Sequence, residues 1–149
     1  MARIFVDVNM FGESWFGNCL QELIKAPNVR FSYSNSEKFT QENEHCFKAL
    51  RFYKLVGDMG KRDDAPATHL ETHISHLEGL ERWQNEAACD DAHIFALVFL
   101  LPTPFVLSKD KRMARCRGCI NPQVDKKYCQ FALIGDRAIY DKHRAKILS

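Results

Sequence analysis

Between Cys89 and Cys116 the chain reads CDDAHIFALVFLLPTPFVLSKDKRMARC, and this stretch limits the fold more than any other. Paired acids, Asp90 and Asp91, open it, and an uninterrupted apolar segment runs from Ile94 to Leu101 and stops at Pro102. A second apolar run, Phe105 to Leu107, hands over to Ser108 and Asp110 in a basic turn. An apolar segment without a polar position has no face to offer water, so it must be buried on all sides. A short β-branched and aromatic run bounded by turn formers suits a buried strand. The expectation is an acid-capped buried helix, then a buried strand, then an acid where the strand ends.

The rest of the chain repeats that alternation. Arg3 to Val6 reads as a short buried strand ending at Asp7-Val8-Asn9, and Val29 to Tyr33 as a second. Between them, Trp15, Cys19, Leu20, Leu23 and Ile24 recur at helical spacing over residues 13–26. Ser34-Asn35-Ser36 forms a turn and cap before a helix predicted over Glu37 to Val56. Gly57 to Thr68 is polar and rich in turn formers, so it is expected to be a loop. Leu70 to Trp83 is helical in pattern. A loop through Gly118 and Pro122 leads to a strand over Gln130 to Ile134 and a basic helix over Asp136 to Leu148. Apolar strands alternating with amphipathic helices imply an α/β fold, a three-layer α/β/α sandwich around a central, mostly parallel twisted sheet. A single domain over residues 1–149 is expected.

Composition narrows the function classes. No apolar run approaches the roughly 20 residues that span a bilayer, and MARIFVDV reads as a strand, not a signal peptide. The expectation is no membrane partner and a cytoplasmic location. A core of this size needs no disulfide framework, so the six cysteines are expected as thiols. Charge is uneven. Residues 109–149 hold eleven Lys and Arg against four Asp, a net +7, while residues 1–108 carry −5. A basic third beside acidic clusters suits a polyanion held at a metal site, although a solvated helix face gives the same count.

In open α/β sheets, ligands bind outside the carboxyl ends of the strands. Asp7 and Asp110 follow two strands there, and Asp91 begins a helix whose first turn faces the same surface. A hard divalent cation requires several converging carboxylates. Each acid alone also reads as a turn or helix cap; three acidic strand-end positions together are better explained by a site.

These residues resemble a known family. FVDVNMF with Asp7, CDDAHIFAL with Asp91, and FVLSKDKRM with Ser108 and Asp110 are similar to the PIN-domain nucleases, in the right order along nearly the whole chain. That family has a strand ending in Asp, a D-x-x-x-x-A-L helix start and a strand ending S/T-x-D. The resemblance implies a Mg²⁺- or Mn²⁺-dependent endoribonuclease, with Asp7, Glu42, Asp91 and Asp110 as catalytic metal ligands. Glu42 is the choice among Glu37, Glu42 and Glu44 because Lys38-Phe39-x-x-Glu42 fits the family best. Asn9 and Ser108 would orient the carboxylates. Lys38, His93, Lys109, Lys111, Arg112 and Arg115 would contact RNA, with packing beneath the site as the other role for His93. The expected partners are RNA, an antitoxin protein if the chain is a toxin of a toxin–antitoxin pair, and a second copy in a homodimer. A non-catalytic PIN-like module that binds RNA or protein is the rival reading.

Other motifs carry less. Cys116-x-x-Cys119, with Cys129 and Cys89, has the makings of a four-thiolate zinc site but lacks a matched second pair. His69, His73 and His76 share one helical face beside the apolar positions and are expected to be solvated. The acidic pair of a receiver domain and a Gly-rich phosphate loop are both absent.

Overall fold

Ile4, Phe5 and Val6 are all buried, and successive side chains of a strand point to opposite faces, so both faces of this strand's sheet must be covered. The computed structural model, which describes residues 1–86, 89–121 and 123–149, has that arrangement. Strands β1 (Ala2–Val6), β2 (Val29–Tyr33), β3 (Arg62–Asp64), β4 (Phe105–Leu107) and β5 (Ala132–Ile134) form one sheet in the order β3-β2-β1-β4-β5. Every pairing is parallel. The helices among the described residues are α1 (Phe16–Lys25), α2 (Glu37–Asn43), α3 (Phe47–Asp58), α4 (Ala67–Glu78), α5 (Glu81–Asn85), α6 (Ala92–Leu100), α7 (Arg112–Gly118) and α8 (Arg137–Leu148).

Two apolar clusters lie on the two faces of the sheet. Ile4, Val6, Phe31 and Leu107 pack against Phe16 and Leu23 of α1, Phe52 of α3, and Tyr140 of α8. Phe5 and Val106 pack the other way, against Phe39 of α2, Leu70 and Leu77 of α4, and α6. Ile94, Phe95, Ala96 and Leu97 of α6 are wholly buried; the large apolar ones each contribute roughly 1.5–3 kcal/mol of burial. This is the α/β/α sandwich that the apolar runs imply.

The departures have local causes. β3 lies inside the stretch expected to be a loop. Its residues are Arg62, Asp63 and Asp64, and it joins β2 at the sheet edge through backbone pairing. Asp63 there accepts from Arg30 Nη2 at 2.7 Å and Arg3 Nε at 2.9 Å, which ties the edge strand to its neighbour β2 and to β1 beyond it. The helix predicted over Glu37 to Val56 is two helices, with a break at residues 44–46 that turns Phe47 and Leu50 to solvent. Residues 13–26 contain α1, preceded by a 3-10 turn over Val8–Gly12. The helix expected over Leu70 to Trp83 is α4 and α5, divided after Glu78. The loop expected through Gly118 and Pro122 carries α7 and a 3-10 turn over Lys126–Cys129; Pro122 itself lies outside the described residues.

Strand order places the site. The chain moves outward from β1 to β2 and β3, then returns to lay β4 and β5 on the other side of β1. The reversal leaves a crevice at the carboxyl ends of β1 and β4. Asp7 N–H donates to the Leu107 carbonyl at 2.8 Å, so the two strand ends are joined there.

Candidate metal centre

Asp7 leaves β1 into the crevice and is buried. Its Oδ1 accepts from Val8 N–H at 2.8 Å, capping the 3-10 turn. Its Oδ2 accepts from the Ser108 hydroxyl at 2.6 Å and from Asn9 Nδ2 at 3.1 Å. Ser108 Oγ in turn accepts from Asp110 N–H at 3.2 Å, and Asn9 Oδ1 from Lys109 N–H at 3.2 Å. Asn9 and Ser108 thus join the two strand ends around one carboxylate. Gly135 keeps this corner narrow, since a Cβ there would meet the Ser108 carbonyl oxygen at 3.0 Å. Burial raises the Asp7 pKa above the usual range, the Ser108 hydrogen bond works against that, and the nearby Glu42 charge adds to it.

Asp91 stands immediately before α6 and is also buried. By position Asp91 is the N-cap residue of α6, as the cap reading expects, but its side chain makes no capping hydrogen bond. Its Oδ2 is buried and has no hydrogen-bond partner among the described residues. Burial pushes its pKa up to about 7; the neighbouring His93 opposes the shift, and Asp7, Asp90 and Asp110 reinforce it.

Glu42 lies on α2, one turn beyond Phe39, and reaches the same place from the other side. Its Oε2 is 3.0 Å from His93 Nε2, and its Oε1 is 3.8 Å from Lys38 Nζ. Ligand atoms of Glu42, Asp91 and His93 all lie within 4.8 Å of one another. Ligands of one small divalent ion sit at about 2.0–2.2 Å from it, hence at most roughly 4.4 Å apart, so modest side-chain movement closes these three on an ion. A buried carboxylate oxygen without a partner is what such a site needs. The residues fit a divalent cation.

The four acids singled out in the sequence come together, in unequal roles. The Glu42 charge acts on Asp7, and the Asp7 and Asp110 charges act on Asp91. Asp110, however, does cap a helix start: its Oδ1 accepts from Arg112 N–H at 3.0 Å. Both its oxygens also take the Arg112 guanidinium, at 2.9 Å each. That guanidinium holds the Asp110 pKa below its ordinary value.

The residues expected to contact RNA divide similarly. Arg112 is paired with Asp110, a contact that competes with its expected role at phosphates. His93 is buried beneath the acids, edge-on to Phe39 at 4.7 Å between ring centres, so of its two expected roles it takes the one under the site. Nothing but the short Asp91-x-His93 spacing at the helix start signalled its membership of the cluster. Lys38 faces Glu42, and Lys109 Nζ lies 3.8 Å from Glu13 Oε1. Lys111 and Arg115 are exposed.

The minor motifs resolve differently from expectation. Cys89 and Cys116 are joined in a disulfide, with Cα atoms 5.4 Å apart, while Cys119 and Cys129 remain free thiols. The four sulfurs expected as thiols or a zinc site are therefore not one ligand set. His69 is exposed, but His73 Nδ1 lies 2.7 Å from the Tyr128 hydroxyl and His76 Nε2 3.1 Å from Asp125 Oδ1. Their face packs on the turn over Lys126–Cys129 and is not simply solvated.

Two clefts matter for placement. One of about 690 Å³ lies between α1 and α3, and none of the four acids lines it. Another, of about 570 Å³, adjoins the acids and is walled by His93, Trp83, Lys38 and Asp90. No described helix is long and apolar enough to cross a membrane. Comparison of the chain with models of known families, with curated proteins and with solved structures finds no match.

Proposed function

We propose that this chain is a metal-dependent endoribonuclease of the PIN type, which hydrolyses RNA phosphodiester bonds. The observation that carries the reading is the convergence of Asp7, Glu42 and Asp91, from three separate elements, at the point where the strand order reverses, with Asp110 beside them. Mg²⁺ or Mn²⁺ bound there would supply an acidified water and positive charge for the reacting phosphate. Glu42 and Asp91 would hold the ion from opposite sides of the crevice. Asp7, fixed by Ser108, Asn9 and Val8 N–H, is oriented in advance and need not reorganise during the reaction. No side-chain nucleophile is required. The exposed Lys111 and Arg115 would take backbone phosphates on the rim. On the same reading, an antitoxin protein and a second copy of the chain would be its macromolecular partners.

One observation favours the rival, a non-catalytic PIN-like module: Asp110 is neutralised by Arg112, so the acid set is incomplete unless that pair opens. Cleavage of a labelled single-stranded RNA with Mn²⁺ or with EDTA, by wild type, Asp7→Asn and Asp91→Asn, separates the two. Metal-dependent cutting that both substitutions abolish supports the nuclease. A wild type that binds the RNA without cutting it sinks the nuclease and leaves the module. Cutting that survives in both variants places the chemistry elsewhere.

A further inference from the structure

We infer that His93 is itself a metal ligand, through Nε2, and that the centre therefore takes a transition divalent cation in preference to Mg²⁺. This rests on the proposed reading of Asp7, Glu42 and Asp91 as a metal centre. His93 Nε2 lies 3.0 Å from Glu42 Oε2. Two ligands at right angles about one ion, each about 2.1 Å from it, stand roughly 3.0 Å apart. The contact is thus a hydrogen bond without the ion and an ordinary ligand separation with it. Phe39 holds the ring by its edge, and Glu42 grips it at Nε2. Its other nitrogen, Nδ1, is buried with no partner among the described residues, as is Asp91 Oδ2. Without an ion, the Glu42 carboxylate accepts from Nε2–H and keeps the ring proton there; an ion held by Glu42 and Asp91 would displace that proton and take the Nε2 lone pair.

The cleft walled by His93 also carries Glu37, Glu71, Glu78 and Asp90. That lining raises the local concentration of cations at the entrance and disfavours a phosphate chain approaching from that side. It serves as an ion's route to His93 better than as a track for RNA. An imidazole donor changes which ion is held. Mg²⁺ prefers an all-oxygen shell, whereas nitrogen donors add affinity along the series from Mn²⁺ to Co²⁺, Ni²⁺ and Zn²⁺. A four-carboxylate centre has no such bias beyond the general order of the metals.

The test is electron spin-echo spectroscopy of the full chain loaded with Mn²⁺, alongside competition of Mg²⁺ and Co²⁺ for the bound Mn²⁺. Modulation from a directly bound ¹⁴N is expected in wild type and is expected to be lost in His93→Gln. Co²⁺ should displace Mn²⁺ at a concentration roughly a hundredfold below that needed of Mg²⁺, and His93→Gln should shrink that ratio about tenfold or more. If His93→Gln does not fold, the wild-type spectrum still decides, with Asp91→Asn as the control that assigns the signal to this centre. Mn²⁺ that binds in an Asp91-dependent way without ¹⁴N modulation overturns the inference and leaves an oxygen-only metal centre standing. Mn²⁺ that does not bind, or binds regardless of Asp91, overturns the centre and the inference together.

Discussion

Ser108 donates its hydroxyl proton to Asp7 Oδ2 at 2.6 Å, across 101 residues of sequence, and Asp7 N–H returns a bond to the Leu107 carbonyl at 2.8 Å. Side chain and backbone together fasten β1 to β4 where the strand order reverses. The hydroxyl holds the Asp7 pKa down against burial.

Ser108→Ala removes a donor to a buried carboxylate while leaving the backbone pairing intact. A buried acceptor that loses a hydrogen bond costs about 1–3 kcal/mol. Urea unfolding of the metal-free protein at neutral pH should register that loss, and Asp7 should titrate higher than in wild type. A change within about 0.5 kcal/mol, the range of an ordinary surface substitution, would show that Asp7 is not held through Ser108.

Asp91 sets a pH dependence with a definite sign. Its folded pKa is raised to about 7 from a model-peptide value of 3.8, mainly by burial. The folded chain therefore binds a proton that the unfolded chain releases, and the stability this provides is fully present below pH 4. It fades as pH rises through about 7, by as much as a few kcal/mol at about 1.4 kcal/mol per pKa unit. In metal-free protein, Asp91→Asn should flatten that part of the stability–pH curve and be the more stable form at pH 8. Millimolar Mn²⁺ should reverse the order there, since an ion bound by the carboxylate stabilises only the wild type, and should release protons at pH 6. A wild-type curve flat between pH 5 and 8 would remove the physical basis for a strained Asp91.

How much of this was legible in the sequence depends on what held each element in place. β1 and β4 could be read because buried parallel strands are near-continuous apolar runs, and Asp7 and Ser108 follow directly from where those runs end. β3 could not: Arg62-Asp63-Asp64 is an edge strand held by backbone pairing and by Arg3 and Arg30, with no apolar residue to announce it. The break at residues 44–46 was hidden because Phe47 and Leu50 continue an apolar pattern while lying exposed, at 71% and 45%. His93 belongs to the acids through a contact with Glu42, 51 residues away, at which only its place two residues after Asp91 hinted. Arg112 and Lys111 look alike in a basic turn, yet only Arg112 closes on Asp110.

That pairing makes a prediction of its own. Arg112 binds both oxygens of Asp110 and holds its pKa low, so the residue competes with any cation for that carboxylate. Arg112→Ala should raise Mn²⁺ affinity by roughly threefold or more, an outcome that isothermal titration can read. If Arg112 instead serves RNA, the same substitution would leave Mn²⁺ binding alone and weaken RNA binding at low salt.

The disulfide bears on the centre as well as on stability. Cys89 lies two residues before Asp91, and Cys116 lies on α7, the helix whose start carries the Arg112–Asp110 pair. The bond therefore tethers the segments that present Asp91 and Asp110. Closing a loop with a sequence separation of 27 restricts the unfolded chain by roughly 3–4 kcal/mol in the chain-entropy description. Reduction, or the pair Cys89→Ala and Cys116→Ala, should lower the urea midpoint accordingly. It should also weaken Mn²⁺ binding, because Asp91 then has one covalent restraint fewer on a backbone already without a side-chain cap. The double variant separates the two effects. Stability lost with Mn²⁺ affinity unchanged would mean that α6 alone positions Asp91, and affinity lost beyond the stability change would mean that the tether does.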